Sequence, residues 1–396
     1  MSGHTLLTFN PGSSSIKLGL FDVLAERPRR IGGGAIDLRH APLTLQVIQG
    51  ERRADIPLKA AVTDDLHALI EEILVEVVRR FDMADLSVVG HRVVHGGDQF
   101  AGPAAITDET LDAIETLARL APLHQPQSLR LIRAVQHLRP GLPQVASFDT
   151  AFHRSQSDLV RRFALPRVLF DQGVKRYGFH GLSFKFIAGE LERVAPELAP
   201  GRVVVAHLGS GASLCGLKAG VSHDTSMSFS TLDGIPMATR CGALDPGALI
   251  HLVKERGMTI GDVEDMLYHR SGLFGVSGIS ADTRELLASP EPTAREALDL
   301  FAFRIAREVA ATATTLGGVD GLVFTAGIGE NQPAIRDAIC RHLAWIGVSL
   351  DAAANARNAT RIGAPGLKVA VLVVPTDEEQ VIAEEAWEIL RQAAPP

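Results

Sequence analysis

The feature that most restricts how this chain can fold is a strand, turn, strand pattern that occurs twice. T-F-N-P-G-S-S-S-I-K-L-G-L-F, residues 8–21, is echoed by V-A-H-L-G-S-G-A-S-L-C-G-L-K, residues 205–218. Each places a polar residue, Asn10 or His207, at a strand end, follows it with a hairpin turn of small residues, and returns as a second strand. Two related halves explain the echo. The length of 396 residues agrees, because one hydrophobic core rarely organises that much chain. Elsewhere short β-type runs (6–9, 16–21, 145–148, 203–206, 322–325, 369–374) alternate with longer amphipathic ones, which is α/β patterning. Helical spacing covers 63–81, with Thr63 as N-cap, and 107–117, with Asp108 and Glu109 in the first turn. Further helices are expected over 183–194, 293–316, 333–345 and 377–390. Periodicity fades beyond Thr150, which sets a domain boundary there: residues 1–150 with 380–396 form one domain and 151–379 the other.

Composition removes several classes of function. The net charge is −7 with both signs interspersed, and no basic stripe with interleaved aromatics occurs, so nucleic acid is not an expected partner. Cys215, Cys241 and Cys340 are far apart and form no C-x-x-C pair, which argues against a disulfide framework or a cysteine zinc site and fits a reducing cytosol. The apolar run before Asn10 is too short for a signal sequence or a spanning helix, so a cytoplasmic protein without membrane association is expected.

Several segments could carry chemistry. The turn Asn10-Pro11-Gly12-Ser13-Ser14-Ser15, with Lys17 after it, offers backbone N–H groups, hydroxyls and a cation to phosphate oxygens, although an ordinary hairpin has the same composition. It is not a Walker loop. The turn His207-Leu208-Gly209-Ser210-Gly211 shares that ambiguity. A third glycine run, Thr325-Ala326-Gly327-Ile328-Gly329-Glu330-Asn331, follows a strand and precedes a helix, which suits close approach of a nucleotide. In Gly90-His91-Arg92-Val93-Val94-His95-Gly96-Gly97 the two histidines invite a zinc reading. In a strand, however, positions four apart are about 13 Å from each other, too far to share one ion. Arg92 is the stronger candidate there, either for a carboxylate or phosphate or as half of a structural ion pair. Arg240 lies in a second such loop beside Cys241. Asp149 follows a strand, His180 lies between Gly178 and Gly181, and Asp377-Glu378-Glu379 opens the last helix, where Thr376 or Asp377 would cap and Glu378 would project elsewhere.

Taken in order, N-P-G-S-S-S-x-K, G-H-R-V-V-H-G-G, A-P-L-H-Q-P, F-D-T-A-F-H, Y-G-F-H-G, M-A-T-R-C-G, D-P-G, G-I-G-E-N and D-E-E resemble the acetate kinase family over essentially the whole chain. The resemblance implies two related α/β domains of the acetate and sugar kinase, heat-shock ATPase and actin type, ribonuclease H-like, with a nucleotide cleft between them, commonly in a homodimer. It also implies reversible, direct in-line transfer of a phosphoryl group from ATP to acetate, giving ADP and acetyl phosphate, with Mg²⁺ or alternatively Mn²⁺. Carried over by position, Asn10 and Glu378 would hold the metal, and Arg92, Asp149, His180 and Arg240 would be catalytic. Arg92, Val94, Leu123 and Thr231 would bind the acid. Lys17, His207, Leu208, Gly209, Ser210, Gly211, Asp282, Thr283, Arg284, Gly327, Ile328, Gly329, Glu330 and Asn331 would face the nucleotide, in the domain 151–379 for all but Lys17. The chemistry is coherent: a carboxylate is already ionised at neutral pH and needs no general base, so the site must mainly offset negative charge.

This chain departs from the family's commonest pattern at three places. His180-Gly181-Leu182-Ser183-Phe184-Lys185-Phe186 lacks a second histidine, Ser210 replaces asparagine, and Thr231 stands where proline is usual beside the acyl pocket. Because one methylene in an apolar pocket is worth about 1–3 kcal/mol, propionate or butyrate remains the alternative acid on the same scaffold. An ATP-driven conformational switch is the rival of another class. Such proteins and the sugar kinases carry aspartate where this chain has Asn10.

Overall fold

The computed structural model describes residues 4–12, 15–23, 27–38, 41–61, 66–81 and 86–393. They fall into two compact units, Met1–Phe152 with Asp377–Pro396, and His153–Thr376. The first unit holds strands β1 (His4–Pro11), β2 (Ser15–Val23), β3 (Arg29–Asp37), β4 (Thr44–Gln49), β5 (Arg52–Pro57), β6 (Leu86–Val93), β7 (Ala104–Ala105) and β8 (Gln144–Phe148), in the order β5-β4-β3-β2-β1-β6-β8-β7. The second holds β9 (Arg202–Leu208), β10 (Ala212–Lys218), β11 (Val221–Thr225), β12 (Gly321–Thr325) and β13 (Ala370–Val373), in the order β11-β10-β9-β12-β13.

The two sheets share a plan. In each, three antiparallel strands (β3-β2-β1 and β11-β10-β9) are continued by two that run parallel to the first (β6-β8 and β12-β13). The repeated turns are the equivalent first hairpins, with Asn10 paired to Lys17 and His207 to Ser213. Parallel strands buried on both faces read as near-continuous apolar runs, and β9, β12 and β13 do so.

In the first unit, alternation along β1 sends Leu7 and Phe9 into one core with Ile16, Leu69, Ile73, Leu131 and Val135. Leu6 goes to the opposite face with Val88, Val145, Ala383 and Ala386. Those last two alanines belong to the C-terminal helix Glu378–Ala393, which packs on β1, β6 and β8. Gly90 permits that approach, since a Cβ there would lie 2.6 Å from Ile382 Cγ2. The run Asp377-Glu378-Glu379 lies in the first unit, whose second segment starts at Asp377, three residues before the expected 380. Its side chains bond to Asn10 and Arg30, so contacts rather than chain order place it.

The observed helices His67–Phe81, Asp108–Thr116, Gly181–Val194 and Pro292–Leu316 coincide with the periodic runs to within a few residues. Thr107 caps the second, its Oγ1 accepting from Thr110 N at 3.2 Å, whereas Thr63 lies outside the described residues. The helix expected over 333–345 stops at His342 and continues as a 3-10 turn, Ala344–Ile346, ended by Gly347 at φ 90°.

Candidate active site

In the first unit, β1, β6 and β8 run parallel and deliver Asn10, Arg92 and Asp149 at or just beyond their C-terminal ends, where ligands of open α/β sheets bind. Arg92 forms a forked pair with Asp149, Nη2 to Oδ2 at 2.6 Å and Nε to Oδ1 at 3.1 Å, and its Nη1 donates to Asn10 Oδ1 at 3.2 Å. The Asn10 amide nitrogen donates in turn to Glu378 Oε2 at 2.8 Å and Glu379 Oε1 at 2.7 Å, which fixes the orientation of the amide. Arg30 closes the group by pairing with Asp377 at 2.6 Å and Glu379 at 3.2 Å. Burial opposes the charge on Arg92, but the Asp149, Glu378 and Glu379 carboxylates more than offset it, so its pKa stands above the usual arginine value. Asp377 Oδ1 accepts from Gln380 N and caps the final helix, while Glu378 turns to Asn10.

The oxygens of Asn10, Glu378 and Asp149 are hard donors, and among the described residues no cluster of three or more His, Cys, Asp or Glu side chains forms a cage. That donor set fits Mg²⁺, which keeps waters and phosphate oxygens and takes only one or two protein ligands. Lys17 lies exposed on β2, and Ser13 and Ser14 lie outside the described residues. Val94 is buried and Leu123 is half-exposed. Between them in sequence, His95 is held on both backbone groups by Gln125, which donates to its carbonyl at 2.9 Å and accepts from its N–H at 3.1 Å. The histidines of the G-H-R-V-V-H segment are both buried: His91 Nε2 bonds Gln144 Oε1 at 2.7 Å, and His95 Nδ1 accepts from Gly97 N at 2.9 Å. Burial pulls each down to a pKa of about 4.

In the second unit, His180 has φ 56° at the start of helix Gly181–Val194 and stacks on His207 with ring centroids 4.3 Å apart. Each ring is steadied through Nδ1 by a serine, Ser213 for His180 and Ser183 for His207, both at 2.8 Å. Ser183 donates onward to Thr376 at 3.0 Å. A Cβ at Gly211 would lie 3.4 Å from His180 Nε2 and 3.7 Å from Arg240 Nη1, so the bare backbone of this turn faces two nitrogen-bearing groups. Arg240 Nη1 donates to the Thr231 carbonyl at 3.3 Å. A Cβ at Gly209 would meet Ala326 Cβ at 3.8 Å, which brings the His207–Gly211 turn beside the third glycine run.

Within that run the helix Ala326–Asn331 opens on Ala326 at φ 64°, and space is open around Gly327, where a Cβ would meet nothing within 4 Å. Glu330 turns inward, its Oε1 accepting from Ala326 N at 2.8 Å and Thr376 N at 3.2 Å. Asn331 Nδ2 donates to the Gly327 carbonyl at 3.0 Å. Asp282 caps helix Thr283–Ala288 and pairs with Arg284, while Thr283 is buried. The Leu208 side chain is fully buried, so only its backbone can face a ligand. Gly178, at φ 92°, serves packing: a Cβ there would come within 2.6 Å of the His153 ring.

Sequence reasoning passed over Glu379, Arg30, Ser183 and Gln125. Glu379 was legible as the neighbour of Glu378. Arg30, the second of two arginines that open a glycine-rich strand, carried no signal that it meets the far end of the chain.

The comparisons with known proteins agree over nearly the whole chain. A family model described as the acetokinase family matches residues 5–384. The acetate kinase of Rhodopseudomonas palustris is 48% identical over 393 residues, covering 97% of this chain and 98% of that one. The crystal structure of a propionate kinase from Francisella tularensis superposes with a TM-score of 0.90 at 32% identity, covering 97% of this chain and 99% of that one. That of Porphyromonas gingivalis acetate kinase superposes with a TM-score of 0.86 at 32% identity, covering 98% and 100%. With a duplicated 3-2-1-4-5 sheet, charged groups at the ends of its parallel strands and these relatives, the chain belongs to the acetokinase family.

Proposed function

We propose that this protein is an acetate kinase, transferring the terminal phosphoryl group of ATP to acetate, reversibly and in line. The observation that carries the reading is the forked Arg92–Asp149 pair tied through Asn10 to Glu378 and Glu379, because it is a fixed cation beside hard oxygen donors. A guanidinium held in that way keeps its orientation, and its one Nη2 N–H outside the fork can meet a carboxylate or phosphoryl oxygen without reorganising. Acetate is ionised before it binds, so Arg92 orients it and no residue needs to remove a proton. Val94, Leu123 and Thr231 are assigned to the edge of the acyl site. His180 and Arg240 donate to the oxygens of the phosphoryl group in transit, and the tethers from Ser213 and the Thr231 carbonyl support that role by limiting their freedom. ATP is assigned to the backbone of Gly209, Ser210, Gly211 and of Gly327 to Asn331, with Asp282, Thr283, Arg284 and Lys17 at its margins. Asn10 and Glu378 hold Mg²⁺, which when bound neutralises charge on the phosphates. A dimer accords with Leu244, Ile250 and Ile260, apolar and exposed within one short stretch of chain. Among the described residues no helix is long and apolar enough to cross a membrane, and a cytosolic setting accords with three free thiols.

Mg-ATP with acetate, propionate or butyrate, trapped by hydroxylamine, tests the reading. Acetyl hydroxamate is expected to form fastest. ATP hydrolysis at an equal rate without any acid, and no hydroxamate, would leave the conformational-switch rival. Faster trapping with propionate would instead favour the alternative acid, an outcome for which Thr231 at the pocket edge is the sequence reason.

A further inference from the structure

Among the described residues the largest side chain buried completely is a cation, Arg336, on helix Pro333–His342. Burial lowers its pKa from the usual arginine value. An arginine in such a place is ordinarily matched by a carboxylate, since an uncompensated buried charge is costly. Here every one of the five guanidinium N–H groups donates, and no acceptor is charged. Nε donates to Asn355 Oδ1 at 2.8 Å, and Nη1 to the carbonyls of Gly329 at 2.8 Å and Glu330 at 3.0 Å. Nη2 donates to the Asn355 carbonyl at 2.8 Å and Asn358 Oδ1 at 2.6 Å.

Two of those acceptors explain why the charge is there. Helix Ala326–Asn331 has six residues, and its last carbonyls have no partner within the helix. The Ile328 carbonyl is taken by Gln332 N at 3.0 Å, and those of Gly329 and Glu330 by Arg336. A cation at the negative end of a helix dipole is favourable there in its own right. The rest of the turn is pinned from within by Glu330 Oε1 on Ala326 N and by Asn331 on the Gly327 carbonyl. The left-handed Ala326 shows that these restraints hold a conformation an L-residue rarely adopts.

We propose that Arg336 is a positioning residue for nucleotide binding, which acts by holding the carbonyls of Gly329 and Glu330 so that the turn 326–331 is ordered before ATP arrives. The inference rests on the nucleotide assignment made above for Gly327 to Asn331. Ordering a turn beforehand removes that cost from binding. Loss of Arg336 therefore weakens ATP and ADP without altering the acid site, whose anchoring arginine, Arg92, is fixed by other groups.

Equilibrium Kd for Mg-ATP and the separate KM values for ATP and acetate test this in the full chain, with Arg336→Met and Arg336→Lys. Arg336→Met is expected to raise the Kd and KM for ATP by about tenfold, with kcat at saturating ATP and the KM for acetate within about threefold of the parent. Lysine keeps a cation at the helix end but not the fork, so Arg336→Lys is expected to fall between. A folded variant with parental ATP affinity overturns the proposal, and so does an equal rise in the acetate KM, which would mean general loosening. If Arg336→Met does not accumulate as folded protein, Asn358→Gly decides by the same two criteria. It removes one acceptor at a φ of 52° that glycine accepts, and a rise in ATP Kd of about threefold is expected. Failure of the kinase reading shows differently, as a parent enzyme that forms no hydroxamate.

Discussion

At the scale of single residues, sequence left Arg92 as either half of a structural ion pair or a cation for the ligand; the structure shows the ion pair, and the ligand role is the one proposed above. The fork to Asp149 uses Nε and Nη2, while Nη1 reaches Asn10. Arg92→Ala is expected to lower kcat for hydroxamate formation by about 10²-fold or more, because a preorganised donor is lost. It also removes the cation paired with the Asp149 carboxylate, 1% exposed, so a stability loss of up to about 3–5 kcal/mol should appear in urea unfolding. Arg92→Lys should recover little activity, since an ammonium cannot reproduce the fork. Wild-type turnover in either variant would remove Arg92 from the reaction. Three buried histidines make a second prediction. His91, His95 and His153 are each pulled by burial to a pKa of about 4, below the ordinary 6.5. The unfolded chain therefore binds more protons between those values. Their neutral burial contributes full stability above about pH 7, and that contribution is lost as pH falls from 6.5 toward 4. Each histidine can add up to about 1.4 kcal/mol per pH unit to the slope. Urea midpoints measured from pH 8 to 4.5 check this, and a midpoint unchanged between pH 7 and 5 would contradict it.

At the scale of elements, the hydrophobic period located His67–Phe81, Asp108–Thr116, Gly181–Val194 and Pro292–Leu316 because each buries one stripe, and Thr107 marked one N-terminus, whereas the side-chain-capped helices Pro246–Lys254 and Ile260–His269 went unread. Thr107→Ala should cost about 1 kcal/mol in urea unfolding, with Thr107→Asp restoring most of it. The strand Arg29–Asp37 was not read as one, since I-G-G-G-A has weak β propensity; pairing with β2 and β4 decides it. Helix Gln125–Leu138 was overlooked although Leu129, Ile132 and Val135 give the period and Pro126 marks the first turn. Gly90 illustrates a role that only packing reveals, for its closest neighbour is the helix bearing Glu378 and Glu379. Gly90→Ala should destabilise the fold by about 1–3 kcal/mol, and Ile382→Ala in the same chain should relieve part of that loss. Strict additivity of the two substitutions would refute this contact as the cause.

At the scale of the whole molecule, the internal echo was the most informative feature, and the matching strand orders β3-β2-β1-β6-β8 and β11-β10-β9-β12-β13 give it physical meaning. A hairpin with a polar strand end is a local object, so thirteen or so residues suffice to write it into sequence. The same holds for amphipathic periods, caps and the order of the motifs, all of which depend on near neighbours along the chain. Membership of a family was legible for that reason. Which groups meet across long stretches of chain was not: Asn10 with Glu378 and Glu379 and Arg30 with Asp377, hundreds of residues apart, and Glu330 with Thr376, 46 apart, are juxtaposed by sheet order and helix packing. The buried charge of Arg336 is the extreme case, because nothing in P-A-I-R-D-A-I-C distinguishes an exposed helical arginine from one enclosed by carbonyls. Sequence by itself determined the α/β halves, their hairpins and the chemical types at the candidate site. Tertiary structure alone decided which carboxylate answers which cation, since charge pairing depends on distance in space and chain separation carries no record of it.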